Sequence, residues 1–190
     1  YSNLTDRIDF DSDTTSQVTK PTLVTARDQL MGANSSTVSY WCGGRTSGAT
    51  ETTENSSITF SSDTGSQVTK GVLVTAKSDG QGYNSSTLAY YSGGGTGDAA
   101  GSTTGTSGLT FSSDTTAQVT KGAMVTATSG MGADGANSST IGYVAGGSTG
   151  ARVTNCNSLT FSSDTTGMVT KGALSQARHR TSATNSSTIG

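Results

Sequence analysis

Phe60-Ser61-Ser62-Asp63-Thr64 is the stretch on which the fold prediction depends, because it recurs along the whole chain. It returns unchanged as Phe111-Ser112-Ser113-Asp114-Thr115 and Phe161-Ser162-Ser163-Asp164-Thr165, and in variant form as Phe10-Asp11-Ser12-Asp13-Thr14. The four phenylalanines are 50, 51 and 50 residues apart. Four copies at a nearly constant spacing indicate a repeat architecture, in which each unit is completed by its neighbours.

Two further motifs recur in step with this one. Asn-Ser-Ser-Thr begins at Asn34, Asn84, Asn137 and Asn185, and a tyrosine precedes a glycine pair in three copies: Tyr40 with Gly43-Gly44, Tyr90 with Gly93-Gly94, and Tyr143 with Gly146-Gly147. The asparagine spacings are 50, 53 and 48 residues. This variation marks loops that tolerate insertions.

Within one period the alternation of apolar and polar residues predicts four short strands. In the best copy these are 72–76, 87–91, 58–60 and 66–69, with Asp63 and Gly65 in the turn that joins the last two. Four strands in about fifty residues are typical of a propeller blade. A parallel β-helix is the alternative, but its coils are much shorter. The sequence therefore predicts an all-β fold, a β-propeller of four-stranded antiparallel blades with four repeats.

The composition supports strands and gives little sign of chemistry. Hydrophobic residues make up 30% and charged residues 13%, with 31 Ser and 36 Thr, whereas an average domain is about 45–50% apolar. Abundant Thr, Val, Tyr and Gly favour strands and turns over helices. The sequence has no long apolar run, and its net charge is −2. We therefore expect no membrane insertion, no nucleic-acid partner and no cofactor.

The repeat resembles the kelch repeat. Ala26-Arg27 and Ala177-Arg178 match its arginine, and the Tyr-x-x-Gly-Gly and Ile/Leu-Thr-Phe segments match its second and third strands, whereas its fourth-strand Trp is absent. More narrowly, Thr5-Asp6-Arg7-Ile8-Asp9-Phe10 is similar to kelch-like repeats of marine phage and marine bacterial proteins. The turn Ser61-x-Asp63-x-Gly65-x-x-Val68 also resembles the sialidase Asp-box. That element is a structural hairpin and implies no catalysis.

The order of the motifs predicts the blades. They are expected at 22–71, 72–122 and 123–172, with 173–190 joined to 1–21 as a closing blade, in one propeller domain. The closing blade lacks the Tyr and Gly-Gly segment. One four-bladed ring, part of a larger ring, and an eight-bladed ring shared by two chains remain open.

Several residues are candidates for binding. Trp41 and Arg45 flank a glycine pair, Tyr83 and Tyr91 are aromatics that differ between copies, and Arg178-His179-Arg180 is the densest basic cluster. An exposed aromatic with polar neighbours suits a sugar, although for Trp41 itself we favour a core role. His179 is the single histidine, and it has no recurring carboxylate partner for acid–base chemistry.

Metal, glycan and disulfide sites have competing structural explanations. Asp9, Asp11 and Asp13 alternate on one strand and form a weak calcium candidate. We expect the aspartate of the recurring Phe-Ser-Ser-Asp-Thr motif to shape the turn in each copy. These aspartates are Asp13, Asp63, Asp114 and Asp164. Asn-Ser-Ser-Thr fits a glycosylation sequon but also a β-turn that needs Asn, which we favour. Cys42 and Cys156 occupy non-equivalent positions, so we expect no disulfide.

These observations predict a non-enzymatic structural or binding propeller. The resemblance implies a place in a phage virion, such as a tail fibre or capsid-surface protein, or on a bacterial surface, and hence a virion or extracellular location. Its partners would be other virion or surface proteins, or a cell-surface glycan recognised by loops, and it could form a homo-oligomer. The alternatives are a lectin with pockets between blades and a sialidase-like hydrolase, for which Arg and Glu are too few.

Overall fold

The computed structural model describes residues 1–7, 16–96 and 101–185. Within these residues the fold is all-β, with three four-stranded antiparallel sheets and one two-stranded sheet. Phe10, Asp9, Asp11 and Asp13, which were named above, lie outside the described residues.

Each sheet is a meander in which strands adjacent in sequence pair with one another. The two-stranded sheet contains β1 (Thr5–Arg7) and β2 (Val18–Lys20). The first blade contains β3 (Met31–Asn34), β4 (Val38–Cys42), β5 (Asn55–Thr59) and β6 (Val68–Thr69). The second contains β7 (Gln81–Asn84), β8 (Leu88–Ser92), β9 (Thr106–Thr110) and β10 (Val119–Lys121). The third contains β11 (Ala136–Asn137), β12 (Ile141–Ala145), β13 (Cys156–Thr160) and β14 (Val169–Thr170).

The turns form where the recurring polar motifs predict them. Asn-Ser-Ser-Thr joins the first two strands of each blade: the Ser35 amide donates to Val38 O at 2.8 Å, and the Val38 amide donates to Ser35 Oγ at 3.0 Å. The Phe-Ser-Ser motif forms a short 3-10 helix between the third and fourth strands, at Phe60–Ser62 in the first blade. The sequence predicts that Phe60 is the last residue of a strand at 58–60. In the structure Phe60 instead begins this helix.

The predicted first strand of each blade is wrong. Residues 72–76 form a connection between blades, and the inner strand of the second blade is β7. The segment makes no ladder, because the Leu73 amide donates to Thr53 O of the first blade and Val72 O accepts from the Gln118 amide of the second. Leu73 is buried while Val72 and Val74 are exposed. The alternation of exposed and buried residues resembles that of a strand, although Leu73 is the one side chain of the three that is buried.

A contact of Tyr, Lys and Asp joins each blade to the next. Tyr40 of β4 stacks on Phe111 of the second blade with ring centroids 5.7 Å apart. The Tyr40 hydroxyl and Lys70 Nζ both donate to the Asp114 carboxylate, each at 3.0 Å. The turn aspartate therefore stabilises the packing between blades as well as ending its own hairpin.

The same contact recurs one blade further along. Tyr90 stacks on Phe161 at 5.3 Å, its hydroxyl donates to Asp164 at 2.9 Å, and Lys121 lies 2.8 Å from Asp164. Burial and the Asp164 hydrogen bond both raise the pKa of Tyr90 above its usual value. At the start of the chain, Asp63 pairs with Arg7 and Lys20 of the two-stranded sheet, at 2.6 and 3.1 Å.

The glycine pairs after the second strands require glycine. Gly93 and Gly94 have φ values of 66° and 102°, which L side chains rarely adopt. A Cβ on Gly94 would lie 2.4 Å from Ser78 O. The other two pairs share this left-handed geometry: Gly43, Gly44, Gly146 and Gly147.

Candidate functional site

The inner strands of the blades surround a central axis and contact one another there through backbone atoms. The Gly32 and Gly82 amides both donate to Ala133 O, at 3.3 and 3.0 Å, and Gly82 forms a parallel bridge with Asp134. A Cβ on Gly82 would lie 1.9 Å from Gly32 O. Glycine at this position therefore allows the first three repeats to approach one another closely.

Two cavities of about 700 and 500 Å³ lie along this axis. Both are lined by Gly32, Trp41 and Asp134, so the cavities adjoin at these residues. We call the pair the axial channel and the three shared residues its waist. Both cavities are open to solvent, and their volumes are comparable to those of small-molecule sites, about 300–1,000 Å³.

One mouth of the axial channel, the amide mouth, carries an asparagine from each of the four repeats. Its members are Asn34, Asn84, Asn137 and Asn185. In the first three, Nδ2 donates to the carbonyl of the following serine at 3.1, 3.2 and 3.3 Å. Asn185 Oδ1 accepts from the Asn137 amide at 3.3 Å. No other described residue donates to the side-chain oxygens of the first three asparagines, so they are available as acceptors.

The opposite mouth, the charged mouth, is built on a strained backbone position. Gln29, Asp79, Gly130 and Arg180 stand at the same place in the four repeats, with φ values of 56°, 55°, 58° and 52°. Left-handed conformations in non-glycine residues are uncommon and cluster at functional sites. Backbone bonds between repeats support them, since the Asp79 amide donates to Gln29 O at 3.0 Å.

Charges of both signs converge on Asp79 at this mouth. Burial raises the pKa of Asp79, and Asp28 raises it further, whereas Arg180, Arg45 and His179 lower it. Asp28, Asp79 and Arg180 all line the larger cavity. The charged mouth can therefore hold hydrogen-bond donors and acceptors side by side.

The waist contains the feature that departs most from the repeat. Trp41 is half-buried and lines both cavities. Its equivalents Tyr91 and Val144 are 0% and 1% exposed and lie between blades. Beside Trp41, burial raises the pKa of Asp134, whose carboxylate has no hydrogen-bond or ion-pair partner among the described residues.

Two predicted contact residues are almost fully buried, although Tyr83 also lines the smaller axial cavity. Tyr83 is 2% exposed, stacks on Tyr90 at 5.3 Å and shares a hydrogen bond with Ser92. Tyr91 is fully buried between the first two blades. Both tyrosines belong to the hydrophobic clusters between blades and offer little surface to a ligand.

The other predicted contact residues are divided between two surfaces. Trp41 and Arg180 lie at the axial channel, and Arg45 and His179 act on Asp79 there through their charge. Arg45 Nε also lies 3.3 Å from Glu51. Arg178 is exposed and lines a groove of about 860 Å³ between the third blade and residues 174–185, which adjoins the amide mouth at Asn137 and Asn185. The basic triplet therefore does not form one patch.

Two buried cationic side chains are structural: Arg27, which matches the kelch arginine, and Lys77, which stands at the same position of the second repeat. Arg27 donates to the carbonyls of Gly43 and Glu54, and Lys77 Nζ donates to Tyr91 O at 2.7 Å and Gly105 O at 2.9 Å. Burial lowers the pKa of Lys77 to about 8. Both bind loop carbonyls inside a blade and are inaccessible to a ligand.

Neither cysteine forms a disulfide, and burial raises the pKa of Cys42 to about 12. Among the described residues, no group of three or more His, Cys, Asp or Glu side chains could hold a metal ion. The calcium candidate at Asp9, Asp11 and Asp13 stays a prediction, because those residues are not described. No helix among the described residues is long and apolar enough to cross a membrane.

The sequence interpretation missed Asp28, Gln29, Asp79 and Asp134. No motif marks them, and the left-handed backbone position that groups Gln29 with Asp79 and Arg180 is not visible in residue type. The asparagines were recognised as turn residues. Three of them end an inner strand, and all four lie around one axis. This arrangement could have been inferred only with the correct strand order.

Comparison with known proteins supports the fold and goes no further. No protein-family model matches the chain, and no curated protein matches it. Among solved structures, it is similar to one described as "Structure of YjhT", with a TM-score of 0.70 and 13% identity. The alignment covers 92% of this chain and 66% of that one, so the chain spans just under two thirds of its length. At this identity the likeness shows fold alone: the chain has a β-propeller fold.

Proposed function

We propose that this protein is a non-enzymatic structural or binding β-propeller that acts in a phage virion or on a bacterial surface. The kelch-like repeats support this setting, because they resemble repeats of marine phage and bacterial proteins. The Asp-box-like turn supports a structural role, since Asp114 and Asp164 each accept bonds from the neighbouring blade. Catalysis forms no part of the proposal.

The axial channel is the observation that carries a binding role. Its charged mouth bears side chains that differ between repeats and its amide mouth bears the repeat asparagines, while the blades beneath are held by the same Tyr, Lys and Asp contact. A rigid scaffold with variable residues at one site is how loop-rich folds achieve recognition. Its partners would be other virion or surface proteins or a surface glycan.

Carbohydrate binding is the second candidate function, but not in pockets between blades. Tyr40 with Phe111 and Tyr90 with Phe161 fill the two complete blade interfaces. Trp41 favours the axial channel instead, because it exposes part of an aromatic side chain beside carboxylates and amides.

Localisation is the property to test first. Antibodies raised against the purified chain should label intact phage particles or unpermeabilised cells from the source culture in immunogold electron microscopy. Labelling only after the cells are permeabilised would contradict the proposal. A pre-immune serum and antibodies preabsorbed with the purified chain are the controls.

A further inference from the structure

We propose that the axial channel binds a neutral saccharide, with Trp41 against its C–H face and Asp134 accepting from its hydroxyls. This inference deepens the proposed function by naming the ligand class and the residues that would contact it. It depends on the waist, where Trp41 departs from its equivalents in the other repeats, and on the amide mouth, where the repeat asparagines come together.

Trp41 supplies the apolar part of the site. The repeat normally buries this position between blades, as with Tyr91 and Val144, yet Trp41 is half-buried and reaches both cavities. An indole ring offers a flat apolar face with one polar edge, which matches the alternating C–H and O–H groups of a pyranose.

Asp134 supplies the polar part at the same level of the channel. Its carboxylate is half-buried and has no partner among the described residues. A partly buried carboxylate without a protein partner favours hydrogen-bond donors, and the vicinal hydroxyls of a sugar provide two. The acceptor oxygens of Asn34, Asn84 and Asn137 at the amide mouth extend the same preference for hydroxyl donors.

Charge excludes the other common classes of small ligand. Asp28, Asp79 and Asp134 line the axial channel, against Arg180 as the cationic residue among its described lining. A phosphate or an acidic sugar would meet net repulsion there. An aliphatic ligand would leave the asparagines and carboxylates desolvated and unpaired.

The single tryptophan of the chain makes the test specific to the site. Trp41 emission is measured while methyl α-D-mannopyranoside, methyl α-D-glucopyranoside, methyl β-D-galactopyranoside or N-acetyl-D-glucosamine is added, with N-acetylneuraminic acid as the charged comparison. We expect at least one neutral sugar to shift the emission saturably, with a Kd in the millimolar range or tighter. The charged sugar should have a smaller effect.

Two matched variants separate binding from a general effect on the protein. Asp134→Asn keeps the shape but loses the carboxylate, and it should weaken binding about tenfold, because hydrogen bonds to a charged acceptor are stronger than those to an amide. Asp6→Asn removes the same charge at an exposed position on β1 and should change nothing. Circular dichroism confirms that both variants fold.

Each result decides between the two proposals. If no neutral sugar alters Trp41 emission, or if Asp134→Asn binds as tightly as the wild type, the saccharide inference is overturned. Surface labelling of particles or cells would then still support the proposed function. Conversely, saturable sugar binding by a protein found only inside cells would keep this inference and refute the proposed setting.

Discussion

The interface between the second and third blades and the outer face of the third blade present equivalent residues in different surroundings. At the interface, Tyr90 is fully buried against Phe161 and Lys121 pairs with Asp164. On the outer face, Tyr143 is half-buried beside a groove of about 860 Å³. Lys171 is exposed there and has no ion pair among the described residues. The Phe and Asp that would correspond to Phe161 and Asp164 for this face are Phe10 and Asp13, which lie outside the described residues.

This difference shows what a blade contributes by itself. Its own hydrogen bonds form the meander, but the residues that the repeat shares most closely are directed at the next blade. The energetics of such proteins are dominated by interfaces between adjacent units. Substitutions at equivalent positions in a covered and an uncovered face should therefore have unequal effects.

The largest difference is expected for the tyrosines. Tyr90→Ala removes two ring stacks and a hydrogen bond to Asp164. It should lower the free energy of unfolding by about 4 kcal/mol, as for other large aromatic truncations in a core. Tyr143→Ala should cost about 1 kcal/mol or less. Urea unfolding followed by circular dichroism measures both, and equal losses would show that another segment covers Tyr143 in solution.

A smaller difference is expected for the glycines that follow Val-Thr-Lys. A Cβ on Gly122 would lie 1.9 Å from Thr166 O, a backbone atom that cannot move away freely, whereas a Cβ on Gly172 meets nothing within 4 Å. Gly122→Ala should therefore lower the free energy of unfolding by about 2–3 kcal/mol. Gly172→Ala should be neutral or stabilising by about 0.5 kcal/mol, because it restricts the unfolded chain.

Thermal unfolding of the two glycine variants at one scan rate provides the comparison. If Gly172→Ala destabilises as strongly as Gly122→Ala, the outer face of the third blade is covered in solution as the interface is. A neutral Gly122→Ala would instead show that the 164–168 turn yields more easily than its packing against Gly122 suggests.

The sequence was sufficient for the features that recur. Periodicity predicted a propeller of four-stranded antiparallel sheets, and the structure has this architecture. Local chemistry predicted the Asn-Ser-Ser turns, because these residues bond to their own backbone. Each of these inferences depends on a property that every copy shares.

The sequence was insufficient where copies differ or where distant segments meet. The apolar alternation in 72–76 predicted a strand, but Leu73 anchors a connection whose bonds go to two different blades. Tyr91 and Trp41 occupy one repeat position, yet only the packing around each reveals that the first is core and the second lines a cavity. Such outcomes depend on tertiary contacts that composition and spacing do not encode.

The smallest difference is expected for the lysines, because an ion pair is worth less than a packed ring. Lys121 and Asp164 keep only 13% and 15% of their side chains exposed, so screening by water is incomplete and their pairing should contribute about 1 kcal/mol. Lys121→Met retains the aliphatic packing over Gly108 while removing the charge, and Lys171→Met is its match on the outer face. We expect the first to lower the free energy of unfolding by about 1 kcal/mol and the second to change it by less than about 0.5 kcal/mol.

A double-mutant cycle with Asp164→Asn isolates the pair from the loss of the Tyr90 hydrogen bond. A coupling energy near zero between Lys121 and Asp164 would show that Tyr90 alone makes the aspartate useful to the interface. In that case Lys121 and Lys171 would be equivalent, and the contrast between the two faces would depend on aromatic packing rather than on charge.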